Sequence, residues 1–387
     1  MLLLGCGHTI RADLTHNHSE DFDFRSHSCA DPGRRPKTEH EDLQVLFLGV
    51  SGLYVEWRGV GLLAAPFFSH ASLGRLALLK GKWNREAIEA GMHRLPAERI
   101  AGILVAHSHH DHLFDLPVVA GDAEVPRIPN PAKAAHLYLN RSGASMIAAY
   151  PALAQRTTVL DDRLGEWTWL TDGTGARLPI RFMPVASEHA RQAPGVRWAD
   201  GEVEQPWDES WEKKKLRRFE SGRPLAFIID LIAEGIDLMV EGEVEPAFRI
   251  YFQDAASPGE HLASEAVREL ENRSIDLAVF CIASYHAVAG LPETMVSRLR
   301  PRHALVTHYR DFLRRPDKPI RFVPLLTNRR ANTFLERLAE AVRATGSTPL
   351  EPLHPPCGPA APEWTMPLPG EWLTFAVAEP RGGVPIP

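Results

Sequence analysis

From Leu43 onward, runs of apolar residues recur with strand-like and helix-like periods. QVLFLGVSGLYVEW and GVGLLAAPFF predict two β runs joined by a turn at Arg58-Gly59. A helical pattern follows near residues 84–94. The unbroken apolar run IAGILVA, inside ERIAGILVAHSHHDH, predicts a strand covered on both faces. HLYL predicts a strand, followed by a helix and a strand ending at TTVLD. WTWL and LPIRFMPVAS come next, the latter leading into Glu188-His189. LAFIIDLI, IDLMVEGE and FRIYFQD predict three further strands, and DLAVFCIAS and HALVTH two more. ANTFLERLAEAVRA has the 3.6-residue period of a late amphipathic helix. The Pro-rich EPLHPPCGPAAPEWTMPLPGEW is expected as extended surface chain, closed by a short strand, LTFAV. No internal repeat is visible.

Two stretches interrupt the pattern. Residues 1–42 are polar, carry His8, His16, His18, His27 and His40, and read as a tail or linker. No carboxylate or cysteine cluster there completes a ligand set. Residues 190–224 hold Trp198, Trp207, Trp211 and the run EKKKLRRF, and read as an insertion or lid in a domain spanning 43–387. The tryptophans suit packing of the insertion or an apolar substrate cleft. The basic run suits a solvated face or an anionic head group.

Composition narrows the field. The 387 residues are 44% hydrophobic and 24% charged, enough to bury a large core. The net charge of −6 gives no basic footprint, so no nucleic-acid partner is expected. No run approaches the ~20 apolar residues of a membrane span. Leu3-Leu4-Gly5-Cys6 resembles a bacterial lipoprotein cleavage box, but five residues are too few for a signal peptide. A lipid anchor at Cys6 in the cell envelope therefore stands beside a cytoplasmic location. Cys281 sits in an apolar run and is expected as a buried thiol. Pairing of Cys29 with Cys6 or Cys357 stays open.

The candidate chemistry sits in AHSHHDH. His107 and His109 are two apart and face one side of an extended chain, suiting one ion. Asp111 and His112 follow where a helix is expected and suit a second. Imidazole and carboxylate together take Zn²⁺, Mn²⁺ or Fe²⁺. Three further candidates each end a predicted strand: His189 after FMPVAS, Asp254 after FRIYFQ and His308 after ALVT. Sheet enzymes gather their sites at such ends.

In this order of ligands, the chain resembles the metallo-β-lactamase superfamily over about residues 43–320. The resemblance implies an α/β fold, a four-layer αββα metallo-β-lactamase sandwich with the site at one edge. It implies that His107, His109 and His189 bind one metal, that Asp111, His112 and His308 bind the other, and that Asp254 bridges them. A hydroxide shared by the two ions, oriented by Asp111, would then attack an ester-type bond. His109 stands where the flavo-diiron reductases of the superfamily usually carry a carboxylate. Asp254 supplies a bridge that its true β-lactamases lack. LLAAPFFS, LVAHSHHDH, YFQDA and DLAVFCIASYHA resemble the branch of ascorbate-6-phosphate lactonases and N-acylphosphatidylethanolamine phospholipase D enzymes, with a small-molecule or lipid-like substrate. Ala65 departs from that branch, which usually has an aspartate there. Tyr285 and His286 are candidates for the pocket, His286 as a catalytic proton donor. Tyr309 and Asp311 are candidates to support His308. A mononuclear-iron oxygenase and a non-catalytic metal-binding envelope protein remain as alternative functions.

Overall fold

The computed structural model describes residues 22–24, 35, 42–70, 80–191, 198–239, 244–258, 264–314, 318–350, 352 and 363–377. The first strands are β1 (Leu43–Gly49), β2 (Gly52–Trp57), β3 (Val60–Ala64), β4 (Ile100–Val105), β5 (His136–Leu139), β6 (Thr157–Val159) and β7 (Thr168–Thr171). The rest are β8 (Arg177–Ala186), β9 (Leu225–Leu231), β10 (Phe248–Phe252), β11 (Leu277–Cys281), β12 (His303–Thr307), β13 (Trp364–Thr365) and β14 (Trp372–Phe375). They form two seven-stranded sheets, ordered β14-β1-β2-β3-β4-β5-β6 and β7-β8-β9-β10-β11-β12-β13. Each sheet reads the same way. Three antiparallel pairings are followed by three parallel ones, from β3 to β6 in the first sheet and from β10 to β13 in the second. The two halves thus share a strand plan that the sequence does not display.

Side-chain alternation builds the layers. Leu43, Val45 and Phe47 of β1 join the core shared with the second sheet. Leu46 and Leu48 face the opposite way, toward a separate outer core. That outer core is closed by α1 (Arg85–Met92), α2 (His110–Leu113), α3 (Leu116–Val119), α4 (Arg141–Ile147) and α5 (Pro151–Ala154). The second sheet is covered by α6 (Ser264–Asn272), α7 (Glu293–Leu299) and α8 (Asn328–Ala344). The expected four-layer αββα arrangement is therefore formed. Helix α8 shows why: Thr327 caps its start through Arg330 N. Its stripe of Phe334, Leu335, Leu338 and Val342 is buried, each worth roughly 1.5–3 kcal/mol. The β2–β3 turn falls at Arg58-Gly59 as expected, with both φ positive (50° and 77°), the backbone that a two-residue hairpin of this twist requires.

Two expectations need correction. IDLMVEGE forms no strand in its described part, because β9 pairs directly with β10 and leaves this segment as their connection. Ile236 and Met239 there are exposed. The Pro-rich stretch is not surface chain at its described end. Glu363, Met366 and Glu371 are buried, and Tyr309 donates to Pro367 O (2.6 Å). Helix α7, unmarked by a long apolar period, buries Met295, Val296 and Leu299. Within the expected tail, Phe22 and Phe24 pack on Phe322 (4.8 and 5.0 Å), and Arg35 pairs with Glu56. The tail histidines, Cys6, Cys29 and Cys357 lie outside the described residues.

Candidate metal centre

Four strand ends meet at one edge. Strands β8, β10 and β12 run in the same direction within the second sheet, so their carboxyl ends share that edge. They deliver His189, Asp254 and His308. Strand β4 of the first sheet delivers His107 and His109, and α2, starting at His110, turns Asp111 and His112 back toward the second sheet. All of these are buried except the half-buried His189. They group as His107–His109–His189, Asp111–His112–His308 and His107–His112–Asp254, each set with ligand atoms within 4.8 Å.

Hydrogen bonds fix which imidazole nitrogen carries a lone pair. His109 Nε2–H donates to Ala199 O (3.0 Å) and His189 Nδ1–H to Ala190 O (2.7 Å). A carbonyl can only accept, so His109 Nδ1 and His189 Nε2 are left as acceptors. His107 Nδ1–H faces Asp254 Oδ1 at 2.9 Å, which leaves its Nε2 as a lone pair 3.1 Å from His109 Nδ1. Two lone pairs that close repel unless a cation lies between them. On the other side, His112 Nε2, His308 Nε2 and Asp111 Oδ2 form a triangle with edges of 3.3, 3.4 and 3.5 Å. Ligands of a tetrahedral Zn²⁺ at its usual bond lengths stand about 3.3 Å apart. Asp254 Oδ2, His112 Nδ1 and His308 Nδ1 are buried without a hydrogen-bond partner. The donor set therefore fits divalent metal ions, by chemistry and by spacing.

Electrostatics agree. Burial, then the charges of neighbouring imidazoles, push His109 and His112 well below the usual histidine range. Burial takes His189 down to about 4. Burial alone would raise the Asp111 carboxyl, but His112, His308 and His110 outweigh it and hold it well below the usual range. Burial likewise lowers His107, yet the Asp254 carboxylate wins and raises it. Neutral imidazoles at His109, His112 and His189 and an ionised carboxylate at Asp111 are the forms that bind metal; His107 is the exception and must shed its extra proton for its Nε2 to bind an ion.

A supporting shell escaped the sequence reading. Ser108, between the two histidines, donates through its hydroxyl to Asn140 Oδ1 (2.5 Å) and through its backbone N–H to Ser221 O (2.9 Å). Asn140 Nδ2 in turn donates to Ser221 O and Arg223 O. The foot of the inserted segment is thereby stitched to the ligand loop. Asn140 announces itself in the sequence only as the N-cap of α4. Asp115 accepts from Phe68 N (2.6 Å), Ser69 N and Ser69 Oγ, holding the chain that follows Ala65. His110 joins neither triangle. Its ring packs against Phe67 and Phe312.

The weaker candidates sort as follows. Trp207 and Trp211 are buried with Phe219 in the outer core, with Trp211 Nε1–H on Met146 O, so they pack the insertion. Lys213, Lys215, Arg217 and Arg218 form a solvated face around buried Leu216. Tyr309 and Asp311 bond elsewhere, to Pro367 O and Leu313 N, and His308 Nδ1 has no partner. Tyr285 is buried with its hydroxyl on Arg330 O, and His286 is exposed beside it. Residues 287–289 nonetheless wall a cavity of about 250 Å³ that reaches His189 and includes Glu188 and Arg191. Cys281 is buried as expected, and burial, then Asp254, raise its thiol.

No family model and no curated protein matches the sequence. Among solved structures, the chain is similar to Igni18, a novel metallo hydrolase from the archaeon Ignicoccus hospitalis, at 15% identity and a TM-score of 0.43, covering 86% of this chain and 98% of that one. It is similar to the metallo-β-lactamase fold protein YhfI from Bacillus subtilis at 12% identity and 0.42, covering 86% and 99%. It is also similar to CmlA, a diiron β-hydroxylase from Streptomyces venezuelae, at 14% identity and 0.46, covering 88% of this chain and 55% of that one.

Proposed function

We propose that this chain is a metal-dependent hydrolase that holds two divalent ions and cleaves an ester-type bond, a phosphodiester or a lactone, in a small or lipid-like substrate. The observation that carries this reading is the pair of adjoining donor sets, His107–His109–His189 and Asp111–His112–His308, in which the His107 and His112 ring centroids are 4.2 Å apart. Each set would hold one ion, zinc first, with manganese and iron accepted by the same ligands. Bound there, the ions supply an acidified water and a Lewis acid for the substrate oxygen.

The chain's own residues do the rest. Asp254 lies against both His107 and His112 and is the carboxylate shared by the two sets. Asp111, ionised and part of the second set, orients the attacking water. The cavity at His189 admits substrate past small side chains, Ala256 and residues 287–289. His286, on the same loop, is lowered by burial and then by Arg330. It meets the leaving group as a neutral imidazole that relays a proton.

The deciding experiment measures metal content by elemental analysis and, on the same sample, hydrolysis of a p-nitrophenyl phosphodiester and of a simple lactone. About two ions per chain with turnover of one probe is the expected result. One iron per chain with neither probe cleaved overturns the reading in favour of an oxygenase.

A further inference from the structure

A second cavity, of about 520 Å³, lies apart from the donor sets, and none of the seven ligand candidates lines it. Its size is within the usual range of about 300–1,000 Å³ for small-molecule sites. Leu48, on the outer face of the first sheet, lies on one side, and α1 at Ala87, Ala90 and Arg94 on another. Residues 67–68, 318–320 and 368–369 complete the wall. Apolar side chains dominate it. Among the described lining residues the charged groups are Arg94, Arg310 and Lys318, and none is a carboxylate.

One glycine makes room for a rim cation: at Gly370 (φ +90°) an added Cβ would collide with Arg94 Nη1, and the left-handed φ there favours glycine. At Gly49 (φ +105°) an added Cβ would meet Pro369 and Arg310 only at ordinary contact distance. Arg310 is buried, whereas Arg94 and Lys318 stand exposed at the rim. The field at the cavity is correspondingly positive. Burial, then the Arg310 charge, hold the His70 imidazole down at about 4.

We propose that this cavity binds a small organic anion, a carboxylate or phosphate monoester bearing an apolar group. The anion meets Arg94, Arg310 and Lys318, and the apolar group lies against Leu48, Phe67 and Ile320. Guanidinium groups match the planar or trigonal oxygens of such anions, and an apolar wall strengthens the pairing by excluding water. The site is independent of the hydrolase reading, because its residues and those of the metal centre do not overlap.

Isothermal titration of phenyl phosphate, phenylacetate and benzyl alcohol into the full, metal-loaded chain tests it. At least one of the two anions binds saturably, and benzyl alcohol binds at least about tenfold more weakly. In the double variant Arg94→Gln, Lys318→Gln the anion binds about tenfold more weakly. Both residues are exposed, so this variant keeps its fold, as its circular dichroism and melting midpoint will report. His189→Ala leaves the anion affinity within about twofold of the parent. Absence of saturable anion binding, or equal affinity for benzyl alcohol, overturns the proposal. So does a loss on His189→Ala with none in the rim variant, which places the anion on the metal centre instead.

Discussion

The Nε2 atoms of His112 and His308 lie 3.3 Å apart, although the two residues are 196 positions apart in the chain. The approach depends on how β12 ends. His308 takes a left-handed φ of +57°, and its N–H donates to Val50 O (2.6 Å) in the β1–β2 turn. A strained backbone at a ligand is held by the sheet around it. Replacing His308 by Ala should remove about one ion of two and abolish turnover, with the fold retained. Elemental analysis checks it; an unchanged metal content would remove His308 from the second donor set.

Asp254 sits with Oδ1 2.9 Å from His107 Nδ1 and Oδ2 3.3 Å from His112 Nδ1. Asp254→Asn keeps the shape and loses the charge. Metal affinity should fall about 10–100-fold, with turnover lost alongside. Competition with a chromophoric chelator measures this, and parental affinity in the variant would mean the carboxylate is not needed by either set.

Asn140 serves four partners: it accepts from Ser108 Oγ and Gly143 N and donates to Ser221 O and Arg223 O. Asn140→Ala strands several buried groups, at a cost on the order of 2 kcal/mol. It should also loosen the loop between His107 and His109. Denaturant unfolding of the metal-free chain reads the first effect and metal titration the second. Lower stability with unaltered metal affinity would confine Asn140 to a structural role.

His286 is exposed, next in sequence to residues 287–289 that wall the cavity at His189, and is absent from the donor sets. His286→Ala should leave metal content untouched while lowering turnover about 10²-fold. An unchanged rate would strip it of the proton-relay role.

His70 gives a pH signature away from the ligands. Its imidazole falls from 6.5 to about 4 on folding, through burial and then Arg310. A depressed folded value favours the neutral ring. The associated stability is full above the unfolded value and is lost as pH falls through about 6.5 to 4, on the order of 3 kcal/mol in all. His70→Asn tolerates the left-handed φ of +46° at this position. The variant should show a flatter decline of stability across that window. Equal slopes in parallel denaturation series at pH 6.5, 5.5 and 4.5 would exclude a folded His70 held neutral.

Local periodicity and spacing carried much of this protein. The alternation in β1, the closed apolar run of β4 and the stripe of α8 are properties of neighbouring residues, so they can be read along the chain. So can His107 and His109 on one side of an extended segment, and His189, Asp254 and His308 at strand ends. Other features depend on partners far off in sequence. The segment at 236–239 is apolar yet exposed, because β9 and β10 pair without it. Glu363, Met366 and Glu371 are buried in Pro-rich chain, because β13 and β14 complete two sheets whose strands lie far earlier. The lone pair that His109 presents is fixed by Ala199 O, 90 residues away and supplied by backbone alone. No side-chain pattern marks such a carbonyl. Sequence therefore determined which residues can bind metal, and only the tertiary structure decided which atom of each one points at the ion, because a backbone acceptor leaves no trace in residue identity.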